Sequence, residues 1–167
     1  RLARLLALNP LRTDFQRHYE DIVEAYNREK DRLTIEQTFE ALLRFGRELE
    51  DEEARALREG LDEESLAIFD LLRKPDMRKS DIERIKKVAC ALLETLKNGK
   101  LKIEQWRDKE ATRDAVHLAI RDYLWDDRTG LPEQSYAPDE VIDKTDAVYR
   151  HVFRAYPSIP SPYYGLH

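Results

Sequence analysis

Ser80-Asp81-Ile82-Glu83-Arg84-Ile85-Lys86-Lys87-Val88-Ala89-Cys90-Ala91-Leu92-Leu93-Glu94-Thr95-Leu96-Lys97-Asn98-Gly99 carries helix signals from end to end. Ser80 and Glu83 have the spacing of a capping box, in which two side chains satisfy backbone N–H groups left over at a helix start. Ile82, Ile85, Val88, Ala89, Leu92, Leu93 and Leu96 recur every three or four residues, which lines them along one helix face. Gly99 accepts the left-handed backbone common just past a helix end. Cys90, inside the apolar run, reads as a small core residue.

The same pattern extends upstream. A helix is expected over about 13–32, opened by the box Thr13/Gln16 and striped by Phe15, Tyr19, Ile22, Val23 and Tyr26. Thr34 and Gln37 repeat the box ahead of Ile35, Phe39, Leu42, Leu43 and Leu49. Gly60 reads as a helix stop. Asp62 then caps a short helix carrying Leu66, Phe69, Leu71 and Leu72, which Pro75 ends.

Downstream, a linker at Leu101–Trp106 leads to a helix from about Asp108 to Trp125. A loop from Asp127 to Pro138 follows. The last helix, about 139–156, carries Val141, Ile142, Thr145, Val148, Tyr149, Val152, Phe153 and Tyr156. Few segments alternate with the period of two that a half-buried strand needs. The expected fold is all-α: one irregular helical bundle of about five to seven helices over 1–156, with a proline- and tyrosine-rich tail over 157–167 that cannot continue a helix.

Composition bounds the function. At 167 residues and 41% apolar, the chain is too hydrophobic for wholesale disorder. A domain of this size buries ~68–70% of its unfolded surface. The longest apolar run, Val88 to Leu93, is far short of the ~20 residues that span a bilayer. Leu2–Leu8 is too short for a secretory signal, so a cytoplasmic location is expected. Arg1 in place of a start methionine suggests a piece of a longer protein. The single cysteine excludes an internal disulfide. The net charge of −5 is unevenly spread: −3 over 1–60, −4 over 61–72, +6 over 73–113 and −4 over 114–167.

Local motifs offer no enzyme. His18, His117, His151 and His167 share no ligand spacing, and H-E-x-x-H is absent. The only Gly-Lys pair, Gly99-Lys100, follows a helix instead of opening one, so it is no phosphate loop. Asp51-Glu52-Glu53-Ala54 and Asp62-Glu63-Glu64-Ser65 lack the apolar strand that a magnesium-binding acidic motif needs, and read as helix starts. No lysine has an acid two residues before it, which removes the acid–spacer–lysine element of restriction-type nucleases. No serine sits in a G-x-S-x-G elbow. Expected catalytic, cofactor and metal residues are therefore none; a tertiary active site near His18, Tyr19 or His117 is the distant alternative.

Trp106, Arg107, Arg113, Tyr156, Tyr163 and Tyr164 are of the residue types enriched at protein interfaces. They are the candidate contact residues, with core packing the competing role for Trp106 and Trp125. The basic segment supplies a second candidate: Arg73, Lys74, Arg78, Lys79, Arg84, Lys86 and Lys87 as contacts to DNA phosphates.

Five stretches carry a family likeness. They are Asn9-Pro10-Leu11-Arg12-Thr13-Asp14-Phe15; Gly60-Leu61-Asp62-Glu63-Glu64-Ser65-Leu66-Ala67-Ile68-Phe69-Asp70-Leu71-Leu72; Trp106-Arg107-Asp108-Lys109-Glu110-Ala111-Thr112-Arg113; Ile120-Arg121-Asp122-Tyr123-Leu124-Trp125; and Val148-Tyr149-Arg150-His151-Val152-Phe153. In this order they resemble the C-terminal helical region of the R subunit of type I restriction-modification enzymes, over all but the last ~10 residues. The resemblance implies a parent subunit with an N-terminal nuclease and an ATP-driven DNA-translocating motor, using ATP and Mg. It implies that this region is helical, packs beside the motor domains and docks on the methyltransferase subunit. The family's nuclease and ATPase residues lie upstream of this chain, so no position here inherits them. The tail has no counterpart in the likeness. The expected function is a non-catalytic assembly module, with direct contact to the DNA backbone as the alternative.

Overall fold

The computed structural model describes residues 1–28 and 32–164. Residues 29–31 of the first predicted helix, and His167 with the end of the predicted tail, lie outside the described residues. The described residues form eight α-helices and no strand. All-α is the class the periodicity predicted. The count exceeds seven because Leu2–Leu8 and Arg55–Glu59 each close a short helix of their own. Contacts divide the chain into two compact units, residues 1–62 and 63–167.

In residues 1–62, α1 (Leu2–Leu8) leads through a 3-10 turn at Pro10–Arg12 into α2 (Thr13–Arg28), followed by α3 (Arg32–Glu53) and α4 (Arg55–Glu59). The start of α2 is set upstream of the predicted box. Asn9, fully buried, accepts a hydrogen bond at Oδ1 from the Leu11 N–H at 3.0 Å, and Pro10 needs no N–H partner at the first turn position. Gln16 reaches forward to Glu20 at 2.9 Å rather than back to Thr13. Thr34 lies within α3, which already spans Arg32.

Helices α2 and α3 pair antiparallel, with Phe15 and Tyr19 against Phe45 and His18 beside Glu48 at 3.3 Å. The core is small: Leu5, Ile22, Phe45 and Leu49, with Leu2, Phe15 and Ala41 packed around them. The predicted stripe on α3 is rotated. Leu49 is buried, but Ile35, Phe39, Leu42 and Leu43 are exposed, because Phe45 and Ala41 take the face that meets α2. Arg12 is 2% exposed and donates from Nε to Glu52 at 2.8 Å and from Nη1 to the Leu5 carbonyl at 3.3 Å. Arg55 forks onto the same carboxylate at 2.9 and 3.0 Å. Gly60 ends α4 as predicted: at φ 71 it lets its own N–H bond the Leu57 carbonyl and the Leu61 N–H bond the Ala56 carbonyl.

Residues 63–167 hold α5 (Glu63–Leu72), α6 (Lys79–Asn98), α7 (Glu110–Trp125) and α8 (Pro138–Ala155). Helix α5 packs on α6 and α7 on α8, and the pairs join through α5 with α8 and α6 with α7. The predicted face of α6 is the buried one: Ile85, Val88, Ala89, Leu92, Leu93 and Leu96. Each of its Ile, Val and Leu side chains contributes about 1.5–3 kcal/mol of burial.

Two details of α6 differ from expectation. The helix begins at Lys79 with no side-chain cap. In its first turn the Asp81 carboxylate accepts from Ser135 Oγ at 2.6 Å, while Glu83 pairs with Lys86 at 3.5 Å instead of capping. Cys90 is exposed, on the far side of the helix from the core, so it is not a core residue. Helix α8 starts at Pro138, where Glu140 accepts the Ala137 N–H at 3.0 Å. Gly130 closes the α7–α8 loop by close approach. A Cβ there would lie 2.2 Å from the Leu124 carbonyl oxygen, which instead accepts the Leu131 N–H at 3.0 Å.

Candidate functional site

The 3-10 turn at Trp106–Asp108 sends consecutive side chains in opposite directions. Gln105 before it adopts a left-handed φ of 54. Trp106 turns inward, is fully buried, donates from Nε1 to the Tyr156 carbonyl at 2.7 Å, and meets Tyr149 and Phe153 edge-on. Trp106 is therefore a core anchor and not an interface residue.

Arg107 turns outward. Its Nη1 donates to the Phe153 carbonyl at 3.0 Å and its guanidinium lies 5.2 Å over the Phe153 ring. Arg113, one turn into α7, donates to the Arg107 carbonyl at 2.7 Å. His117 follows one turn later, with Nε2 2.9 Å from Asp146 and its ring edge-on to Tyr149 at 5.1 Å. Burial, with the Asp114 charge nearby, raises the Tyr149 hydroxyl above its ordinary range, against the opposing pull of Arg113.

Arg107, Arg113, His117, Tyr149 and Phe153 thus form one half-exposed aromatic and cationic patch along the α7–α8 pair. The sequence pointed to the two arginines. It did not connect them with Tyr149, Phe153 and His117, because that neighbourhood depends on α8 packing antiparallel to α7.

The tail aromatics divide. Tyr156 is fully buried and donates to Glu64 at 2.9 Å, a carboxylate that Lys97 also holds at 2.6 Å, so Tyr156 belongs to the core and not to the exposed surface. Tyr164 stacks on Tyr156 with ring centres 5.9 Å apart, and its hydroxyl lies 3.5 Å from Nε2 of buried His151. Tyr163 is 40% exposed beside Arg154. Ser161 donates to the Ala155 carbonyl, which folds the tail back on α8. Burial first, and then the Arg154 charge, lower the His151 pKa to about 4 and hold its ring neutral.

Most of the basic segment is engaged. Arg73 pairs with Asp70, Lys74 with Glu140, Arg78 with Asp81 and Lys86 with Glu83. Arg84 donates to the Gly130 and Asp127 carbonyls at 3.1 Å. Among the described residues, Lys79 and Lys87 alone of the seven have side chains that make no ion pair or hydrogen bond.

A groove of about 500 Å³ runs along the α7–α8 loop, lined by Leu124, Trp125, Leu131 and Val141 with Asp127 and Glu133 at its rim. Trp125 is 44% exposed there. The phenol at its floor, Tyr136, is spent on the Leu72 carbonyl at 2.6 Å, and burial pushes its pKa up. Among the described residues, no three His, Cys, Asp or Glu side chains come together to hold a metal ion, and no helix is long and apolar enough to cross a membrane.

The chain has no significant match among curated proteins or solved structures. The family described as type I restriction enzyme HindI endonuclease subunit-like, C-terminal, matches residues 5–154, spanning every described helix from within α1 to the last turn of α8. The chain belongs to this family of C-terminal domains of type I restriction endonuclease subunits.

Proposed function

We propose that this chain is a non-catalytic assembly module that holds the motor domains of its parent subunit in register on the methyltransferase subunit. The Arg107–Arg113–Tyr149–Phe153 patch carries the proposal. Its two guanidinium groups are fixed in advance by backbone carbonyls, so little side-chain freedom is lost when a partner covers them. Aromatic and arginine side chains of this kind are the usual anchors of interfaces. A motor that pulls DNA needs a stiff connection to whatever holds the recognition site, and packed helices supply stiffness. The parent's ATP and Mg belong to its upstream domains in this proposal, and the chain itself neither hydrolyses ATP nor cuts DNA.

The test is an Arg107→Ala, Phe153→Ala double change in the parent subunit, with complex formation followed by gel filtration. A loss of about 2 kcal/mol, roughly thirtyfold in Kd, is expected. Unchanged affinity in a folded variant, and in a subunit lacking residues 1–167 altogether, ends the assembly proposal.

The second proposal, contact with DNA phosphates, rests on Lys79 and Lys87. Two phosphate contacts give a log–log salt slope of about −2. A Lys79→Glu, Lys87→Glu variant with an unaltered slope rules it out.

A further inference from the structure

Helix α3 carries two apolar stripes, and only one is used within the fold. Ala41, Phe45 and Leu49 face α2. Ile35, Phe39, Leu42 and Leu43 form the second stripe, and their exposures of 48%, 62%, 40% and 48% leave it open. Tyr19 and Val23 of α2 extend it, because in an antiparallel helix pair equal rotations away from the packed face lead to the same side.

Gly46 continues the stripe one turn beyond Leu42. A Cβ at Gly46 would meet nothing within 4 Å, so the fold of this chain does not require glycine there. Glycine inside a helix costs about 0.8–1.0 kcal/mol relative to alanine. Glycine there leaves the backbone of α3 open to close approach from outside.

The charges beside the stripe identify what approaches. Lay α3 antiparallel on an identical α3, with residue 41 level with residue 41. Phe39 then lies level with Leu43 of the second copy and Arg32 with Glu50, while Ile35 of the second copy lies one residue from level with Gly46 and Glu36 one residue from level with Arg47, an offset of about 1.5 Å of helix rise that long side chains span. Glu36 and Arg47 lie on the same flank, so both of their symmetry-related pairs form on one side. Arg47, Arg44 and Glu40 make no ion pair among the described residues, although Glu40 and Arg44 stand at i,i+4. Glu36 and Glu50 hold Arg32 and Arg1 at 3.3 Å through side chains that are 61% and 62% exposed, leaving room for a second cation.

We propose that α3 is a self-association surface, and that two copies of this chain join through an antiparallel α3–α3 contact about a two-fold axis. The contact uses residues 1–62 alone and is independent of the α7–α8 patch, so the two proposals can fail separately.

Sedimentation equilibrium of the 167-residue chain over a concentration series tests it. The mass is expected to climb to that of two chains. Phe39→Glu, at an exposed site, should leave the helical circular dichroism unchanged and weaken the dimer by about 100-fold. Arg47→Glu and Glu36→Arg should each weaken it by about tenfold. The two together should restore it, because the reversed pair re-forms across the axis. A chain that stays monomeric throughout overturns the proposal. So does a dimer indifferent to Phe39→Glu, a double variant no tighter than the single ones, or a monomer whose stripe binds only a helix of another protein.

Discussion

Among the described residues, those of 63–167 bury 23 apolar side chains, whereas those of 1–62 bury six: Leu5, Leu8, Ile22, Phe45, Leu49 and Ala56. The shorter unit nevertheless exposes nine large hydrophobic residues against seven in the longer one. The longer unit satisfies its helices internally, with a Trp-centred core and loop carbonyls that bind its own arginines. The shorter unit relies on a polar knot, Arg12–Glu52–Arg55, and on a helix pair with one face unspent. The difference lies in what each unit leaves exposed: residues 63–167 leave a few half-exposed aromatic and cationic side chains on a well-packed body, and residues 1–62 leave one apolar face of α3 open.

The largest effect should come from Trp106→Ala. It removes the centre of the better-packed unit and orphans the Tyr156 carbonyl, for a loss of about 3–5 kcal/mol in urea unfolding. Amide exchange should accelerate throughout residues 63–167. A loss below about 1 kcal/mol would mean that this core is not the keystone that its burial indicates.

Breaking the knot of the other unit comes next. Glu52→Ala takes from the buried Arg12 the carboxylate it holds at 2.8 Å, at a cost of about 3 kcal/mol. This unit should also be acid-sensitive. Burial raises the Glu52 carboxyl, but hydrogen bonds and charge from Arg55 and Arg12 outweigh it and set the pKa below the usual 4.5. The folded state thus binds this proton less readily than the unfolded chain. The stabilisation is complete above pH 4.5 and fades as pH falls through the folded value. Exchange protection in residues 1–62 should drop in that window for the native chain and stay flatter for Glu52→Gln.

His151 gives residues 63–167 a different acid response. Its folded pKa of about 4 lies below the ordinary 6.5, so the unfolded chain takes up the proton first as pH falls. Stability should be intact above pH 6.5 and decline between 6.5 and about 4, by on the order of 2–3 kcal/mol. Trp fluorescence in urea at pH 7 and pH 4.5 measures it. If His151→Leu shows the same decline as the native chain, His151 is not its source.

The smallest expected effect bears on the open face. Gly46→Ala should stabilise the monomer by about 0.5–1 kcal/mol in thermal unfolding, since nothing occupies the space its methyl would take. A destabilised monomer would show that the stripe is already covered within the chain, and the contrast between the units would weaken.

The helices were legible because their signals are local. The three- and four-residue spacing of Ile85, Val88, Leu92 and Leu96, and the glycine after α4, act over a few residues and reappear in the structure. Caps were less legible. Ser80/Glu83 and Thr13/Gln16 have the right spacing, but Lys86 holds Glu83 and Glu20 holds Gln16, so each box loses a side chain to a helical neighbour. The stripe on α3 misled because it contains two apolar faces side by side, and periodicity cannot tell which one meets α2. Of the six contact candidates, Arg107 and Arg113 lie on the patch, while Trp106 and Tyr156 went to the core. Residue type alone does not separate an anchor for a partner from an anchor for the fold.

By itself the sequence determined that this chain is all-α, that it lacks the local motifs of phosphate binding, metal ligation and nucleophilic catalysis, and which family it resembles. All of these are written in spacings of a few residues or in the order of short phrases. Tertiary structure alone decided that Arg12 lies buried against Glu52 forty residues away, that Tyr149, Phe153 and His117 join the two arginines, that most of the basic segment is neutralised, and that one face of α3 stays open. Each of these depends on which helix faces pair across long separations. Helix pairing is set by the summed burial of many side chains, which no single stretch of the sequence encodes.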